Sequence, residues 1–137
     1  MSQQGSTGGS GESLESRAGR LLFVGLPVTR LDRHWREFLR EVRPGGVILF
    51  GRNVESAEQV ALLNAQIRDC LEGRVLVGID QEGGLVDRFR QVCEPSPSAK
   101  AVRNARSVAL ADKFGYLTSR LLRVTGFNIN FAPVLDL

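Results

Sequence analysis

Val75-Leu76-Val77-Gly78-Ile79-Asp80-Gln81-Glu82-Gly83-Gly84 is the stretch on which the fold turns. A nearly continuous apolar run of strand length passes directly into two carboxylates and a glycine pair. A run without alternation suits a strand covered on both faces, as in a parallel sheet. Two earlier runs, Leu21–Leu26 and Val47–Phe50, have the same character. A fourth, Phe127–Leu135, alternates instead: Phe127, Ile129 and Phe131 face one way, Asn128 and Asn130 the other.

Helical patterns separate these runs. Trp35, Phe38, Leu39 and Val42 recur at helical spacing behind an N-cap at Asp32, and Pro44-Gly45 stops them. Ser56 and Gln59 form a capping box ahead of the stripe Val60, Leu63, Ile67, Leu71, which ends at Gly73. A polar, proline-bearing loop surrounds Glu94–Ser98. A third helix carries Phe114, Leu117 and Leu121 and closes at Gly126.

The order is β-α-β-α-β-α-β, which means parallel strands joined by right-handed crossovers. An open doubly wound sheet and part of a (β/α)8 barrel both satisfy it. A whole barrel needs about 250 residues, and this chain has 137. The sequence stops directly after the fourth strand, with no helix to cover it. The expectation is therefore an α/β fold: the first half of a TIM-type barrel, about four βα units, over residues 19–137. Residues 1–18, rich in Gly and Ser, are expected to form a disordered tail.

Composition narrows the function. Apolar residues make up 42% and charged residues 24%, an ordinary globular balance. The net charge is +3, but the arginines are scattered from Arg17 to Arg123 among acids. A nucleic-acid partner would need them clustered, so none is expected. No apolar run approaches the roughly 20 residues that span a bilayer, so no membrane partner is expected either. Met1–Ser16 lacks a signal-peptide pattern, which points to the cytoplasm and free thiols at Cys70 and Cys93. One histidine, His34, and no Cys/His cluster leave no expected metal site. His34 flanks a buried stripe and reads as a surface residue.

The chemistry concentrates after the third strand. In a barrel the carboxyl end of each strand opens on the active-site face. Asp80 stands where a substrate-binding carboxylate would stand, and Arg88 could bring a forked donor over the same opening. An Asp/Glu–Arg set that only fixes the loop fits these residues equally. Asp136 ends the fourth strand in the same way, and a carboxylate capping a turn explains it as well.

Three motifs together resemble glycoside hydrolase family 3. They are Gly45-Gly46-Val47-Ile48-Leu49-Phe50-Gly51-Arg52-Asn53, Ile79-Asp80-Gln81-Glu82-Gly83-Gly84 with Val86-Asp87-Arg88, and Gly126-Phe127-Asn128-Ile129-Asn130-Phe131-Ala132-Pro133-Val134-Leu135-Asp136. The bacterial β-N-acetylhexosaminidase group is the most similar. This resemblance implies a retaining exo-glycosidase that removes terminal β-N-acetylglucosamine from peptidoglycan fragments, without metal or organic cofactor. It implies a carbohydrate partner, a muropeptide-like N-acetylglucosaminyl glycoside. Asp80 and Arg88 match the family residues that hold the terminal sugar.

Leu85 departs from the family pattern, which has arginine there. The nucleophile and the histidine acid/base of the group would lie beyond Leu137, so no catalytic residue is expected in this chain. A β-glucosidase or β-xylosidase of the same family and a non-catalytic fragment are the alternatives.

Overall fold

The computed structural model describes residues 13–134. Asp136 lies outside the described residues. The elements run α1 (Leu14–Gly19), β1 (Phe23–Gly25), α2 (Arg33–Val42), β2 (Gly46–Leu49), α3 (Ala57–Cys70), β3 (Leu76–Ile79), α4 (Ala99–Asn104), α5 (Val108–Val124) and β4 (Ile129–Asn130). The four strands are parallel and neighbour one another in chain order, β1-β2-β3-β4. A doubly wound sheet reverses its strand order at a switch point. This sheet has none, so it is an arc of a (β/α)8 barrel.

The local signals explain the helices. Asp32 accepts a 2.9 Å hydrogen bond from Trp35 N. Ser56 Oγ accepts from Gln59 N at 3.0 Å, and the Gln59 amide reaches on to donate to Thr29 O at 2.6 Å. That amide thus ties the start of α3 to the loop after β1. The end of α2 falls earlier than Pro44-Gly45: Arg43 itself caps it in the left-handed conformation, φ 48°.

The tail also needs correction. Ser13 caps α1 by accepting from Ser16 N, so ordered structure begins before residue 19. Gly19 is packed against the carbonyl of Val42 so closely that no Cβ would fit.

Strand alternation divides the sheet into two faces. Val47, Leu49, Val77 and Ile79 point under α2 and α3, where Leu39, Leu63 and Ile67 complete a fully buried core. The other face is also apolar but open. Phe23, Leu76 and Phe131 remain 44%, 44% and 40% exposed. Phe23 and Phe131 meet edge to face across it, 5.7 Å between centroids. The ring of Phe131 would lie 2.6 Å from a Cβ at position 78, which is why that strand position is glycine.

The fourth strand is held by side chains as much as by its ladder. Asn128 Oδ1 accepts from Val77 N at 2.6 Å, and Asn130 Oδ1 accepts from Gln81 N at 3.0 Å. Asn64 on α3 donates to Thr125 O at 2.8 Å. The third helix differs from its expected stripe. Of Phe114, Leu117 and Leu121 none is fully buried; Leu122 is the buried residue of α5. The helix stands off the sheet, leaving a groove of about 650 Å3 between α4–α5 and β4.

Candidate active-site wall

Asp80 is the first residue after β3 and shares the open face with Leu76 and Gly78. Arg88 reaches back to it with two hydrogen bonds, Nε to Oδ1 at 2.7 Å and Nη2 to Oδ2 at 2.5 Å. This is the bidentate fork that guanidinium and carboxylate geometry favours. The two side chains are 27% and 22% exposed, Arg88 and Asp80 respectively. The hydrogen bonds that Arg88 donates to Asp80, with the charges of Asp80 and Glu82, raise the Arg88 guanidinium above its ordinary value against opposing desolvation. It therefore stays charged at every physiological pH. Its Nη1 is not used by Asp80 and can donate elsewhere.

A buried polar frame sets this geometry. Gln81 and Asp87 are 2% and 4% exposed. Gln81 Nε2 donates to Asp87 Oδ1 at 2.8 Å, while Gln81 Oε1 accepts from Arg88 N at 2.8 Å. Asp87 also accepts from Phe89 N at 3.1 Å and from Ser96 N at 2.7 Å. Phe89 is fully buried and meets Phe127 edge to face at 6.3 Å. Arg88 is thus flanked by two anchored residues, and only its own side chain is left to face the opening.

The intervening turn needs its glycines. Gly83 and Gly84 have φ of 84° and 61°. A Cβ on Gly83 would collide with Pro97 O, and one on Gly84 would come within 2.6 Å of Ser98 Cβ. The departure at Leu85 leaves the loop intact. Its side chain is 92% exposed. Arg90 holds the turn instead, donating from Nη2 to Gly84 O at 2.8 Å and to Leu85 O at 2.6 Å.

The same rim holds two residues that the sequence reading did not single out. Phe50, just past β2, lies under Arg52 at 4.7 Å and under Arg88 at 5.9 Å from the ring centroid. Asn53 fixes this segment, accepting from Phe50 N at 2.8 Å and donating to Leu26 O at 2.8 Å. The signal that marked Asp80, a position at the carboxyl end of an apolar strand, marks Phe50 and Arg52 too. His34 is exposed on α2 against Trp35. Cys70 is buried, and Cys93 is exposed. Among the described residues no cluster of His, Cys, Asp or Glu is placed to hold a metal ion, and no helix is long and apolar enough to cross a membrane.

A rim with a paired donor and acceptor, an aromatic ring and further arginine is what known relatives can be compared against. Residues 13–137 match the model of the glycosyl hydrolase family 3 N terminal domain. A beta-hexosaminidase of Vibrio cholerae is 42% identical over 103 residues, 74% of this chain and 31% of that protein. One from Alkalilimnicola ehrlichii is 40% identical over 122 residues, 85% of this chain and 35% of that protein. The chain thus spans about a third of the length of these relatives. Among solved structures, the family 3 β-N-acetylglucosaminidase from Paenibacillus sp. str. FPU-7 superposes with a TM-score of 0.84 at 31% identity. That match covers 93% of this chain and 25% of the other. NagZ from Neisseria gonorrhoeae gives 0.74 at 28% identity, covering 85% and 36%. With nearly its whole length matching the family model, this chain belongs to glycosyl hydrolase family 3.

Proposed function

We propose that this chain forms a sugar-holding wall of a retaining β-N-acetylhexosaminidase that releases terminal N-acetylglucosamine from peptidoglycan fragments in the cytoplasm. The observation that carries the reading is the bidentate Asp80–Arg88 pair, half-buried at the carboxyl end of β3. A sugar hydroxyl both donates and accepts. The free lone pairs of Asp80 and the unused Nη1 of Arg88 offer both partners side by side. Each such hydrogen bond to a charged group contributes about 1.5–3 kcal/mol. Phe50 adds an apolar surface at the same rim.

Support for the N-acetyl sugar comes from the relatives. They are named beta-hexosaminidase, and NagZ from Neisseria gonorrhoeae has been solved in complex with N-trifluoroacetyl-D-glucosamine. A retaining mechanism needs a nucleophile and an acid/base about 5 Å apart. In this reading both come from residues other than those described, and Asp80 and Arg88 only bind. Initial rates of the full-length enzyme that carries this chain, on 4-nitrophenyl N-acetyl-β-glucosaminide and on the matching β-glucoside, test the substrate class. We expect kcat/KM to favour the N-acetyl substrate at least tenfold; preference for the glucoside overturns the assignment.

A further inference from the structure

The end of the sheet opposite Asp80 carries a second concentration of charge. An arginine stands just ahead of each of the first three strands: Arg20 before β1, Arg43 before β2 and Arg74 before β3. Because the strands neighbour one another in chain order, their amino ends lie side by side, about 4.8 Å apart from strand to strand. Arg40, one turn before Arg43 on α2, joins them. The four line one cavity of about 380 Å3, with Glu72 as its acidic member.

Arg20 has a partner of its own, and the other three arginines carry the argument. Among the described residues the side chains of Arg40, Arg43 and Arg74 have no hydrogen bond or ion pair. Like charges one helical turn apart, as in Arg40 and Arg43, oppose helix formation by a few tenths of a kcal/mol. Glu72 and the carboxyl ends of α2 and α3 offset part of the charge, each helix end acting as roughly half a negative charge. The lining remains cationic. Two non-glycine residues of this cavity, Arg43 and Glu72, also hold left-handed backbone, φ 48° and 56°. Both stand where a helix ends, α2 and α3 respectively, and left-handed backbone is a common helix stop.

We propose that this cavity is an anion site for a small phosphate-bearing molecule. Guanidinium forks match phosphate oxygens two at a time, which a single point charge does not. The volume admits a phosphoryl group with a small body attached. A nucleic-acid backbone is not favoured, because the remaining arginines are spread among acids and offer no track beyond the cavity. The site lies at the opposite end of the strands from Asp80, so it is independent of the sugar-binding reading.

Inorganic pyrophosphate is the probe, titrated calorimetrically into the intact chain at low ionic strength. We expect saturable one-to-one binding that weakens as salt is added. Arg43→Gly combined with Arg74→Ala should weaken it at least tenfold. Glycine relieves the left-handed strain, so melting temperature should hold while binding falls. Arg103→Ala, on α4 away from the cavity, should bind as the parent does. Absent or non-saturable binding, or equal affinity in the double variant, overturns the proposal. N-acetylglucosamine should not compete; competition would place pyrophosphate in the Asp80 opening and overturn it too.

Discussion

The β1–β3 region and the β4–α5 flank are built from similar apolar runs but packed differently. Under α2 and α3 the sheet is closed: Leu39, Leu63, Ile67, Val47 and Val77 are at most 1% exposed. At the flank α5 buries Leu122, while Leu117 stays 54% exposed. The flank joins the rest through Leu122 and Phe127 in the core and through polar links from Asn64, Asn128 and Asn130. Apolar content therefore does not fix how tightly a region packs. Closure on the covered face does, and the candidate site stands where the two regions meet.

This contrast can be broken by mutation. Leu63→Ala should cost about 2–5 kcal/mol through lost burial and the cavity left behind. Leu117→Ala on α5 should stay within about 0.5 kcal/mol. Urea unfolding of both variants checks the difference, and comparable losses would mean that α5 is as well packed as α3.

Asp87→Ala should fall next, near 3 kcal/mol, because it strips partners from the buried Gln81 amide and from the Phe89 and Ser96 N–H groups. The same unfolding assay reads it. A loss below 1 kcal/mol would mean that the frame contributes little to holding the loop.

The smallest effect is a titration. Partial burial pushes the Cys93 thiol up, and the charges of Asp87 and Glu94 push it further. The folded value exceeds the unfolded one, so the stabilisation is complete below the unfolded value and is lost as pH rises through the folded one. The thiolate is the reactive form. Alkylation by iodoacetamide should therefore have its midpoint above the ordinary value of about 8.5, and Asp87→Asn should lower that midpoint.

Much of the covered region was legible because its signals are local. Asp32 and Ser56 cap neighbouring amides, and the runs at Val47 and Val77 are continuous because both faces meet apolar matter. Asp80 was legible from its place at a strand end. The frame behind Arg88 was not, since Gln81, Asp87 and Ser96 meet only once the turn folds back. Asn128 and Asn130 read only as the opposite face of an alternating strand, yet they bond the backbone at Val77 of β3 and at Gln81, some fifty residues away. The α1 cap at Ser13 is a local signal lost in a Gly/Ser-rich stretch.

The central claim is that the Asp80–Arg88 fork grips the sugar. The most direct test compares kcat/KM on an aryl N-acetyl-β-glucosaminide between the full-length enzyme that carries this chain and its Arg88→Ala variant. The account predicts a fall of about 10- to 100-fold, one lost charged hydrogen bond, with the melting temperature nearly unchanged. Unchanged kinetics would contradict it and leave the pair as a brace for the loop.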